Sequence, residues 1–269
     1  VSGASYTNGT QGAKDAAINN CISGVEKVIK LCHDKHISLT LITPTAYDET
    51  EYETETASEI GRNSYGMKNF SEKLKALAEK YDVPIIDLWT ATTDKIAEMR
   101  KKGYKGFVVT GADRIHLREN GGFYVAYEFI KQQEGGGAVV ASVNIDASNG
   151  SFAAENADIL LTSIAPNRIE YRYSPKATPI AYTDAYKNAE EVLGCSVTED
   201  INREMIKVIG LDSGSYTLTM DNALIGTYTS EQFAGGINIA LNENNPGQIK
   251  AKNSFNVGST AITNHQSQY

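Results

Sequence analysis

At 269 residues the chain is long enough for one or two domains that bury a core without metal or disulfide staples. Its formal net charge of -8 sets it against a nucleic-acid partner, because a phosphate-binding surface needs clustered Lys and Arg. No run approaches the ~20 consecutive apolar residues of a membrane-spanning helix, so no membrane span is predicted.

The chain opens on a polar stretch over residues 1–15, rich in Ser, Thr, Asn and Gly. Helical spacing of Ala17, Cys21, Val25, Val28, Ile29 and Cys32 predicts a helix from Ala16 to Asp34. A short β run follows from Ile37 to Thr43, stopped by Pro44, and residues 45–63 read as a long acidic loop. Phe70, Leu74, Leu77 and Ala78 share one face of a helix predicted from Met67 to Tyr81. The next strand is placed at Val83 to Trp89, the next helix at Thr92 to Lys102. A short extended segment over 106–110 leads to the loop GADRIHLRENGG and a closing helix, FYVAYEFIKQQ. Strands alternating with helices predict an α/β domain over residues 1–134, a parallel sheet wrapped by helices.

Gly135-Gly136-Gly137 breaks the chain, and the texture changes after it. Short strand-like runs separated by turn residues predict a smaller β-rich domain over 138–242, with one helix from Tyr182 to Leu193. LDSGSY and TMDNAL read as hairpin turns. Residues 243–269 read as a polar tail, extended or disordered.

Three cysteines are present. Cys21 and Cys32 lie about 16 Å apart along one predicted helix at ~1.5 Å per residue, too far for a disulfide. With Cys195 unmatched, the expectation is free thiols and a reducing, cytoplasmic compartment. Secretion stays open, because the chain begins at Val1 and an upstream segment is expected to have been removed.

The chemistry concentrates in GADRIHL. A carboxylate three residues before a histidine, on a loop between strand and helix, suits a hydrolase base. Asp113 would accept a hydrogen bond from one ring nitrogen of His116, leaving the other to take a proton from a serine hydroxyl. Such spacing arises often by chance, and on spacing alone His116 reads more readily as a surface or satisfied loop histidine. Tyr47 and Asp48, just past a strand end, are expected to line a substrate pocket, since ligands in such sheets bind outside the carboxyl ends of strands. Trp89 suits either the cleft or the core. Cys32-His33-x-x-His36 reads as a helix end facing the dipole rather than a metal site. The six acidic residues from Asp48 to Glu59 lack the spacing of a calcium loop. Arg100-Lys101-Lys102 with Lys105 reads as a solvated helix end.

Three stretches, in order, resemble the SGNH hydrolases, the GDSL-type esterases and acylhydrolases. They are LTLITPTAYDE (39–49), NFSEKLKALAEKYDVPIIDLWT (69–90) and TGADRIHLRENGGFYVAYEFIKQQ (110–133). The similarity covers residues 16–134, and the segment 203–241 resembles the β-rich region that follows the catalytic domain in some bacterial members. The resemblance implies a partial three-layer, flavodoxin-like parallel sheet and a serine esterase, carbohydrate deacetylases included. His116 would be base and Asp113 its orienting carboxylate, acting on a small-molecule or carbohydrate ester with no metal or organic cofactor.

The family's nucleophile stands in a Gly-Asp-Ser block, and no such block precedes the first matching helix. Gly3 to Gly9, GASYTNG, could be a degraded oxyanion block, with Ser5 or Asn8 near its Asn. Ser213 and Ser64 sit in turn and loop contexts. The resemblance thus implies a sheet whose first strands lie outside this sequence, completed by self-association or by a partner segment. The alternative is a degenerate, non-catalytic scaffold that acts in binding.

Overall fold

The computed structural model describes residues 10–49, 61–134, 137, 139–165 and 167–266. The chain forms two compact units, 1–133 and 134–269, of mixed helix and sheet with parallel pairings in both.

In the first unit, helix α1 (Gln11–Asp34) opens on Thr10, whose hydroxyl accepts from the amide of Ala13, and ends before His36, which is left-handed at φ 55°. A π-helical turn over Arg62–Met67 runs into helix α2 (Lys68–Tyr81), which Asp82 stops at φ 50°. Strands β1 (Leu41–Ile42) and β2 (Ile85–Ile86) pair in parallel. Ile29 of α1, Leu74, Leu77 and Ala78 of α2, and Leu41 and Val83 form the core that covers one face of this pair.

Both strands are shorter than the β runs that predict them. Asp87 ends β2, because its carboxylate accepts from the amide of Thr90 and caps helix α3 (Leu88–Lys101). Trp89 therefore lies in the first turn of a helix and not at a strand end. The amides of Leu41 and Thr43 donate to Pro84 and Ile86, so the alternating backbone groups of Thr40 and Ile42 face the other edge of β1, where no described strand pairs. Ile42 is 46% exposed. Helix α4 (Glu119–Glu134) closes the unit.

In the second unit a four-stranded sheet has the order β10-β7-β3-β4, from β3 (Ala141–Asp146), β4 (Phe152–Glu155), β7 (Glu204–Ile209) and β10 (Ile237–Asn238). β3 and β7 are parallel; the outer strands are antiparallel to them. Two hairpins pair only within themselves among the described residues: β5 (Ala157–Ala165) with β6 (Arg168–Pro175), and β8 (Ser215–Met220) with β9 (Ala223–Thr229). Their inward residues, Ile169, Tyr171, Tyr216 and Leu218 among them, pack on Val143, Ile145, Ile206 and Val208 of the sheet. Short helices α5 (Asp184–Glu191), α6 (Val197–Asp200) and α7 (Ser230–Gly235) fill the connections.

TMDNAL is a hairpin turn as predicted, with Asp221 and Asn222 both left-handed at φ 48° and 66°. LDSGSY is not. It carries the chain from β7 to β8, which belong to different sheets.

The polar C-terminal stretch is also not extended: Pro246–Gln266 form helix α8. Its root is held by buried polar bonds, which an apolar pattern does not register. Asn245 donates to Glu204 at 2.6 Å and to the Ile239 carbonyl. Gln248 donates to the carbonyls of Ala240 and Ile180 and accepts from the amide of Tyr182. Asn245, Gln248 and Glu204 are all buried.

Candidate active site

The Asp113–His116 loop is built by its neighbours before its side chains matter. Val109 is buried against Ala46 and Ile96, with Leu117 packed beside them, so both ends of the loop are set on an apolar floor. Across its neck Thr110 bridges Leu117, Arg118 donates to the Val109 carbonyl and Gly111 to the His116 carbonyl at 2.6 Å. At its tip Arg114 takes φ 68°, a left-handed conformation that turns the chain back. Gly121, in the first turns of α4, lies so close to Val109 that a Cβ would collide with its carbonyl. That contact sets the helix directly on the segment carrying the loop.

Within this frame Asp113 Oδ1 accepts from the amides of Ile115 and His116, at 3.3 and 3.1 Å. Asp113 Oδ2 contacts Nδ1 of His116. The ring hydrogen bond, and then the His116 amide, hold the Asp113 carboxyl below its ordinary range. The imidazole is 87% exposed, so the pair stands at the surface of its unit, and Nε2 is the ring nitrogen that Asp113 does not contact.

Tyr47 and Asp48 do not stand beside this ring as open lining. Both are 1% exposed. Asp48 acts through the loop: its amide donates to the Arg114 carbonyl at 2.9 Å, and its own carbonyl accepts from Arg114 Nη1 at 3.3 Å. Its carboxylate is paired with Arg100 at 3.1 Å. Arg100 also bonds the carbonyls of Tyr104 and Gly106, so it belongs to the interior and not to a solvated helix end. Tyr47 stacks under the Arg62 guanidinium at 4.7 Å, and its amide donates to Asn63 Oδ1. The same oxygen accepts from Nε1 of Trp89 at 2.9 Å, which places Trp89 in this network as a support.

Arg114, Arg100, Asn63 and Gly121 are the supporting residues that pattern reading misses. Each acts through a partner distant in sequence, 52 positions away for Arg100 and Asp48. Ser64 donates its amide to Glu49 next to this network, and Ser213 is exposed on the β7–β8 connection. Gly3–Gly9 and residues 50–60 lie outside the described residues. Among the described residues no group of three or more His, Cys, Asp and Glu could hold a metal ion; His33 instead meets Tyr81 edge-on. No described helix is long and apolar enough to cross a membrane.

No family model and no curated protein matches the chain. Among solved structures it is similar to BT4096, a gut microbial diltiazem-metabolizing enzyme, with a TM-score of 0.68 and 24% identity over 91% of this chain and 57% of that one. That likeness shows the fold. The chain spans little more than half the length of that structure. A fainter similarity to the acetyl xylan esterase AlAXEase, at 20% identity and a TM-score of 0.37, covers 48% of this chain and 58% of that one.

Proposed function

We propose that this chain carries the acid–base half of an SGNH-type serine esterase on a flavodoxin-like sheet, and that it serves the hydrolysis of carboxylic esters of small molecules or carbohydrates. The observation that carries the reading is the clamped loop on which Asp113 orients His116 through Nδ1 and leaves Nε2 outward. The fold shared with an enzyme described as metabolising a drug supports it. In the reaction, Nε2 takes the proton of a serine hydroxyl as its oxygen adds to the ester carbonyl. The imidazolium then returns that proton to the departing alcohol, and a water molecule repeats the cycle on the acyl-enzyme. Asp113 steadies the charge on the ring throughout.

The serine is carried by polypeptide outside these 269 residues, which pairs with the open edge of β1. Parallel strands are ordinarily covered on both faces and a bare sheet edge is usually protected; among the described residues no strand pairs the Thr40 and Ile42 backbone groups beside the exposed Ile42, which leaves such a place.

The test is nitrophenyl-acetate hydrolysis by the full-length gene product. His116→Ala should lower kcat by roughly 10³-fold or more. Equal rates in the two proteins would sink the assignment. A second reading, a binding scaffold without catalysis, is favoured by the lack of a Gly-Asp-Ser block in the chain. A gene product that has no such block and does not hydrolyse the ester would establish it.

A further inference from the structure

The β-rich unit has a slot where a strand belongs. A cavity of about 570 Å³ runs between β6 and β8, over a floor of Ile206, Val208 and Phe233. Five consecutive residues of one wall, Asn167 to Tyr171, and six of the other, Gly214 to Thr219, line it. In a strand, consecutive side chains alternate between faces. A wall made of consecutive residues is therefore a strand edge, with backbone turned to the space. The hydrogen-bonding agrees. Among the described residues β6 pairs as a strand only with β5, and β8 only with β9, so each has no strand on its other edge.

We propose that this slot takes one extended peptide segment, inserted between β6 and β8 by β-strand addition, with apolar side chains at alternate positions. The inserted strand joins the two hairpins into one five-stranded layer over the four-stranded sheet. Its backbone pairs with both edges. Its inward side chains rest on Ile206, Val208 and Phe233, and its outward ones reach the row of Arg168, Glu170 and Thr217.

The occupant comes from outside this chain. The segments beyond the described residues read VSGASYTNG and TEYETETASEI, neither with the alternating apolar pattern, and residues 267–269 are too few. A second copy would have to withdraw a strand from its own paired sheets to supply one. The apolar floor does not suit a sugar, which would need buried polar partners. Two open edges above an apolar floor are also a hazard for non-specific pairing, which a resident strand removes.

The proposal is independent of the esterase reading, and its test does not use activity. A displayed library of random heptapeptides is panned on the 269-residue chain, and selected peptides are measured by fluorescence anisotropy. The expected result is enrichment of peptides apolar at i, i+2 and i+4. N-methylation of any central peptide amide should weaken binding by about ten-fold or more, because each amide is bonded on one side or the other. Hydrogen exchange of β6 and β8 amides should slow on binding. No enrichment, enriched peptides that tolerate N-methylation at every position, or protection confined to other strands would each overturn it. So would a dimer in sedimentation that the peptides dissociate, which would give the slot to a second copy.

Discussion

Asp113 is the residue whose titration reports on the loop. Its carboxyl is lowered from 3.8, chiefly by the His116 ring and then by the His116 amide. A carboxyl with a depressed folded value contributes a contact that is fully present above the unfolded value and is lost as pH falls through the folded one. The Asp113 carbon resonance should therefore titrate with a midpoint below 3.8, and the amide protons of Ile115 and His116 should move with it. A midpoint at or above the ordinary value would mean that the carboxylate does not cap those amides. Asp113 and His116 are legible from sequence because they are three apart on one loop, so spacing alone brings them together. Asp48 is legible as a residue near a strand end but not as a buried one. Its partners are Arg100 and Arg114, and pairings across 52 and 66 positions leave no local pattern.

At the scale of elements, α4 and the segment 107–110 make one contact with a sharp requirement. Gly121 faces the Val109 carbonyl with no room for a Cβ, whereas nothing lies within 4 Å of where Gly122 would place one. Gly121→Ala should destabilise the first unit by about 1–3 kcal/mol through forced displacement. Gly122→Ala should be neutral or stabilise by about 0.5–1 kcal/mol, as an alanine does in a helix interior. Urea unfolding of the two variants side by side checks the contrast, and equal effects would refute the close approach. The same pair shows how far helix periodicity reaches. It places the helices of the first unit to within a few residues, yet two adjacent glycines look alike until the backbone beneath them is seen. Strand lengths were less legible, because Asp87 acts as a cap and converts the end of an apolar run into a helix start.

On the scale of the whole molecule, the two-texture division in the sequence has a counterpart in two compact units, while the order of the C-terminal stretch has no apolar signature at all. It depends on Glu204, which is buried and accepts from Tyr173 and Asn245. Burial and the neighbouring carboxylate both push the Tyr173 phenol up, so it remains a donor. Asn245→Ala strands one Glu204 oxygen, while the Ile239 carbonyl keeps its bond from the Asn242 amide, and should cost on the order of 2 kcal/mol in urea unfolding. Ending the chain at 242 should cost more, because the partners of Gln248 are orphaned as well. An unchanged midpoint in the truncated protein would show that α8 is not rooted in this core.

The clamped loop has one more consequence for the proposed esterase. Orienting carboxylate and base lie on one loop closed between Val109 and Arg118, so their mutual geometry is complete before any nucleophile arrives. Were the serine supplied by a separate polypeptide, its arrival would be a matter of occupancy and not of refolding. Turnover per assembled complex would be constant, and the observed rate would follow a simple saturation curve in the added segment and decay on dilution as that segment leaves.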